Sequence, residues 1–109
     1  MNDDVGQQYP RFEKNLVAAI HSPYLEKRVE TNEVSLDGLT ICNAERYYDD
    51  GEILYIELAL EKTGSIYCNA RVLSIYPHHQ GASTYKLSLQ FVDMSDVDKE
   101  KLRSCMESG

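Results

Sequence analysis

The chain has no tryptophan, and only three prolines, three cysteines and six glycines among 109 residues. It also has no apolar run long enough for a membrane-spanning helix. Met1-Asn2-Asp3-Asp4 lacks the basic start and apolar core of a secretory leader, so the expected location is cytoplasmic, without membrane insertion. Cys42, Cys68 and Cys105 are odd in number, far apart and without Cys-x-x-Cys spacing. That excludes a disulfide framework or a zinc knuckle and leaves three ordinary, half-buried thiols in a reducing compartment. Cations are scarce as well: 11 Lys and Arg against 18 Asp and Glu give a net charge of -7. Such a surface repels DNA, RNA and anionic lipid. A small anion remains compatible, because a few local cations outweigh a distant field screened within roughly 8–10 Å.

What the chain does have is β alternation. Leu16-Val17-Ala18-Ala19-Ile20 is a short apolar run, Leu25 to Thr31 is more polar but β-tolerant, and Leu39 to Cys42 resumes with period two. Ile53 to Leu60 places Leu54, Ile56, Leu58 and Leu60 on one face. From Ser65 to Tyr76, Ile66, Cys68, Ala70 and Val72 keep register, but Leu73 and Ile75 fall on the other parity. That slip predicts a bulge near Val72-Leu73. Thr84 to Val92 alternates cleanly, with Tyr85, Leu87, Leu89 and Phe91 inward. Ser95-Asp96-Val97-Asp98 then reads as a hydroxyl N-cap followed by an acidic first turn. The helix it opens would put Val97, Leu102, Cys105 and Met106 on one apolar face, with Met94 as a staple. Six short strands with turn signals favour a closed or nearly closed six-stranded antiparallel β-barrel, all-β apart from one C-terminal helix.

No nucleophile and base can be paired, so an enzyme is not expected. His78 and His79 are adjacent and point opposite ways in extended backbone, with no carboxylate or cysteine at ligand spacing. Asp49-Asp50-Gly51-Glu52 has the start of a calcium loop without its spacing or distal glutamate, and reads as a turn. Neither metal nor cofactor is implied. Two other segments carry possible recognition chemistry. Tyr9-Pro10-Arg11 is a stiff extended entry whose arginine is either a surface ion-pair partner or a planar fork for a phosphate or purine edge. Glu33-Val34-Ser35-Leu36-Asp37-Gly38 is either a plain strand-joining turn or a site where Gly38 allows close approach and Ser35 supplies a short hydrogen bond.

Taken together, an arginine-bearing arm, a Ser-x-x-Gly segment, a six-stranded barrel and a terminal helix resemble a PilZ domain. The ending Leu89-Gln90-Phe91-Val92-Asp93-Met94-Ser95 is similar to that family's strand-to-helix transition. The resemblance implies a flexible N-terminal arm over residues 1–8, a PilZ-like β-barrel over 9–93 and a helix packed on it over 94–109. It further implies a bacterial receptor or adaptor for the second messenger cyclic di-GMP, with a protein partner in motility, biofilm formation or secretion. The family's arm motif is R-x-x-x-R and its barrel motif [D/N]-x-S-x-x-G. Here Arg11 matches the second arginine and Gln7 stands at the first, while Ser35 and Gly38 match and Glu33 stands where Asp or Asn is expected. A register starting the arm motif at Arg11 would put Asn15 at its second arginine. Placing the motif at Gln7 to Arg11 keeps Pro10 and the strand from Leu16 at family-like distances. The implied ligand residues are therefore Gln7, Arg11, Glu33, Ser35 and Gly38. Losing one arginine fork costs roughly 1.5–3 kcal/mol, one to two decades of affinity. Weakened nucleotide binding is thus expected, with a nucleotide-independent protein adaptor as the alternative.

Overall fold

The computed structural model describes residues 10–21 and 26–107. Gln7, and the arm expected over 1–8, lie outside the described residues. Among the described residues eight strands are followed by one helix: β1 (Phe12–Glu13), β2 (Val17–His21), β3 (Glu26–Glu30), β4 (Glu33–Val34), β5 (Gly38–Ala44), β6 (Ile53–Leu60), β7 (Gly64–Pro77), β8 (Tyr85–Phe91) and α1 (Asp96–Glu107). They form a single antiparallel sheet in the order β1-β4-β5-β8-β7-β6-β2-β3.

This corrects the expected closed six-stranded barrel. The six runs legible in the sequence are all strands, but β1 and β4 are added as two-residue pieces too short to leave a period. The sheet order ends at β1 on one side and β3 on the other. Among the described residues no ladder joins β3 to β5, so the sheet curves into an open half-barrel with a seam. Closure depends on register and strand tilt, which hydrophobic alternation does not encode.

The concave face is lined as the alternation requires. Leu54, Ile56, Leu58, Leu60, Ile66, Cys68, Ala70, Val72, Leu87 and Leu89 are buried in one cluster, and Phe91 and Tyr85 are half-buried against it. The register between β7 and β8 shifts between Val72 and Ser74, where the parity slip predicted a bulge, and Leu73 is left exposed. In α1, Leu102, Cys105 and Met106 are buried, with Met94 beneath the helix start. Ser95 caps it, its hydroxyl accepting from the Asp98 N–H at 3.1 Å. Val97 does not share the buried face; it is exposed, because it sits in the first turn before the helix reaches the sheet.

The crossing from β3 to β4 fixes the entry of the chain. Thr31 is buried there, donating its hydroxyl to Lys14 O at 2.6 Å and accepting from the Leu16 N–H at 2.9 Å. Asn15 Nδ2 donates to Thr31 O at 2.8 Å, and Asn32 N–H donates to Thr40 O at 2.7 Å. These bonds tie the segment before β2 to both the β2 and the β5 sides of the sheet.

Candidate functional site

β1 lies beside β4 with Phe12 opposite Val34 and Glu13 opposite Glu33, which places Arg11 next to the turn that follows β4. Arg11 Nη1 is 3.8 Å from Glu33 Oε1, and both side chains are partly exposed. The arm and the barrel motif, separated by more than twenty residues in sequence, are thus neighbours in space. An exposed pair of this kind contributes little to stability.

Ser35 and Gly38 close a hairpin whose two loop residues are Leu36 and Asp37. The Ser35 N–H donates to Gly38 O at 2.9 Å, and the Phe91 N–H donates to Asp37 O at 2.9 Å, stitching the turn to the end of β8. The Ser35 hydroxyl is buried and locally engaged: it donates to Asp37 Oδ1 and accepts from the Asp37 N–H at 3.3 Å. Gly38 is required for space. Its φ lies outside the positive range found at Gly51, Gly64 and Gly81. A Cβ there would overlap the Leu89 carbonyl oxygen and crowd Leu89 C at 3.2 Å and Gln90 Cα at 3.3 Å. Close approach of a neighbouring backbone, that of β8, is the role this glycine fills.

The ladder brings further groups to this surface that sequence spacing did not single out. Gly38 pairs with Gln90, and Gln90 pairs with Arg71, so both exposed side chains stand beside the glycine on consecutive strands. Arg71 is thus a second guanidinium on the motif side of the sheet, roughly 10 Å from Gly38 at two strand spacings. Thr40 lies opposite Glu33 and Ser88, and its buried hydroxyl has no hydrogen-bond partner among the described residues. Only register reveals these neighbours, because they come from three separate strands.

The remaining sequence candidates are not brought here. His78 and His79 are exposed in the loop between β7 and β8, and Asp49 to Glu52 form a turn closed by the Glu52 N–H donating to Asp49 O at 3.0 Å. Among the described residues no group of three or more His, Cys, Asp or Glu could hold a metal ion, and no helix is long and apolar enough to cross a membrane. Two residues past the end of β8, Asp93 accepts from both the backbone N–H and the side chain of Asn69, each at 2.8 Å. These bonds hold its carboxyl below the ordinary range. Cys68 lies in the core; burial, helped by the carboxylates of Asp93 and Asp98, pushes its thiol up to about 12, so it is inert.

An open antiparallel half-barrel with an arginine-bearing entry segment laid beside a Ser-x-x-Gly hairpin, closed by one C-terminal helix, defines the class of domain. The chain matches the PilZ domain family over residues 7–108 and belongs to that family. Among solved structures it is similar in fold to the Bacillus subtilis inhibitor of motility MotI/DgrA, with TM-score 0.79 and 24% identity, covering 93% of this chain and 50% of that one. The PilZ domain of YcgR from Escherichia coli with c-di-GMP gives TM-score 0.73 and 18% identity over 92% of this chain and 88% of that domain. MrkH of K. pneumonia in its apo state gives TM-score 0.73 and 15% identity over 99% of this chain and 52% of that one. The chain therefore spans about half the length of MotI/DgrA and MrkH. No curated protein matches it.

Proposed function

We propose that this chain is a cyclic di-GMP-responsive PilZ signalling domain whose nucleotide affinity is weak, and that it passes the signal to a protein partner in motility, biofilm formation or secretion. The observation that carries the reading is the adjacency of Arg11 to the Glu33–Gly38 hairpin. It assembles the matching halves of the two family motifs on one surface. Arg11 supplies a fork suited to a guanine edge or a phosphate. Arg71 adds a cation on the same side, and the unmet Thr40 hydroxyl is a place for a polar ligand atom. Glu33 works against binding: its carboxylate already faces Arg11, and it adds negative charge where a dianion would sit. Of the structural relatives, the YcgR PilZ domain holds c-di-GMP and MotI/DgrA is an inhibitor of motility, which favours this ligand and this kind of pathway.

The engagement of Ser35 by Asp37 and of Arg11 by Glu33 favours a second reading, a PilZ adaptor that binds its protein partner without nucleotide. Calorimetric titration with cyclic di-GMP at two salt concentrations separates the two. On the first reading wild type binds weakly, Arg11→Ala abolishes the heat and Arg71→Ala reduces it. Gln7→Arg tightens binding by about one decade, with the gain shrinking in salt. Glu33→Asn also tightens it, by freeing Arg11 and removing a charge. Silence of both wild type and Gln7→Arg at high ligand concentration would refute the first reading and favour the nucleotide-independent adaptor.

A further inference from the structure

The seam that leaves the barrel open is also a cleft. It lies between β3 and the end of β5, has a volume of about 240 Å³, and sits at the opposite end of β5 from Gly38. Seven residues of strand separate the two places by roughly 20 Å. The register of β5 against β8 shifts between Ile41 and Ala44, and this irregularity falls where Asn43 and Ala44 line the cleft. The apolar wall is Ile20, Val29, Ala44 and Tyr48. Tyr48 is buried, and desolvation raises its phenol above the ordinary value despite the nearby Arg46, so the hydroxyl stays protonated.

The polar rim has the opposite sign from the chain as a whole. Lys27, Arg28 and Arg46 stand there against Glu30 and Glu45, in a protein of net charge -7. Lys27 Nζ and Glu45 Oε1 bridge the seam at 3.4 Å. The Arg46 guanidinium lies over the Tyr48 ring, 5.6 Å from its centroid, and among the described residues it has no carboxylate within ion-pair distance. A guanidinium held by a ring face keeps its donors available for an anion. We propose that this seam cleft is a second ligand site, for a small organic phosphate of about one ring and one phosphate group. The phosphate would lie on Arg46 and, across the seam, on Lys27, which shares the Val29 face of β3, and the ring against Val29, Ala44 and Tyr48. The site is independent of the arm and hairpin.

Phenyl phosphate is the probe, with benzyl alcohol as the uncharged ring, each titrated into the whole chain while backbone amide NMR shifts are followed. The site predicts saturable shifts confined to Lys27–Glu30 and Asn43–Tyr48, absent with benzyl alcohol and weakened by salt. Arg46→Gln should lower the affinity about tenfold to a hundredfold, the effect of one charge-assisted contact. Arg11→Ala should leave it unchanged, which keeps this result separate from the fate of the cyclic di-GMP reading. Should Arg46→Gln fail to give a folded spectrum, Lys27→Gln provides the same comparison on the other side of the seam. Shifts centred on Arg11 and Gly38, an equal response to benzyl alcohol, no saturable response, or full affinity in the cation-to-glutamine variant would each overturn the proposal.

Discussion

Gly38→Ala adds a single methyl group where two strands of the sheet approach closely. The added Cβ would overlap the Leu89 carbonyl oxygen, and that oxygen belongs to backbone rather than to a side chain that can swing away. Relief requires β5 and β8 to part by on the order of 1 Å at the Gly38–Gln90 pair, since carbon contacts are optimal near 3.5–4.0 Å. Parting would lengthen the adjacent bond from the Phe91 N–H to Asp37 O, now 2.9 Å. Overpacking of this kind costs about 1–3 kcal/mol, and the weakened bond adds about 0.5–1.5 kcal/mol. A total of about 2–4 kcal/mol follows, and urea unfolding should report it as a lower midpoint with unchanged slope. Since Gly38 φ is not in the left-handed region, serine should be nearly as costly as alanine, and a d-amino acid-like backbone preference plays no part. A loss below about 1 kcal/mol, within the range of ordinary surface changes, would refute the steric account. On the proposed function, the same variant should also weaken cyclic di-GMP binding through displacement of the hairpin.

Other expectations follow from single residues. Leu89 is buried on the concave face, and Leu89→Ala should cost about 2–5 kcal/mol in denaturant unfolding; a cost under about 1 kcal/mol would mean that the face repacks freely. Asp93 has a depressed carboxyl because Asn69 donates to its charged form, so its contribution is present above the unfolded carboxylate range and lost as pH falls through the lower folded value. Asp93→Ala should therefore flatten the acid limb of the stability curve, while an unchanged limb would show the clamp to be energetically silent. Cys42 is half-buried whereas Cys68 and Cys105 are buried, so a thiol reagent at mild alkaline pH should label one cysteine quickly in the native protein and all three in denaturant. Rapid native labelling of Cys68 would contradict its high thiol pKa.

Most strands were legible because burial on one face writes a period into the chain. Ile53 to Leu60 and Tyr85 to Phe91 alternate in sequence and alternate in burial, and even the bulge after Val72 left a mark as a change of parity. Three things were not legible for a common reason: they depend on which strands meet. β1 and β4 exist only because the arm is laid along the hairpin, held by Thr31 and Asn15, whose hydrogen bonds reach fifteen or more residues away. Arg71 and Gln90 reach Gly38 only through the ladder. The open seam likewise reflects the end-to-end geometry of the sheet, to which no local pattern points. Conversely, Arg11 and Glu33 do lie together beside the Ser35–Gly38 segment, and that segment forms the strand-joining hairpin that its residue types announce.

Among the described residues β3 is the outermost strand on its side of the sheet, and its sequence bears on self-association. An open sheet offers its outermost strand as a template on which a second copy, or an unfolding chain, can polymerise. β3 reads Glu26-Lys27-Arg28-Val29-Glu30, and stacking that strand on itself would bring like charges into repeated apposition. At the opposite margin β1 is only two residues long, too short to seed a growing ladder. The charges that make β3 look least like a strand in the sequence are thus also the ones that oppose its pairing with a second copy of itself.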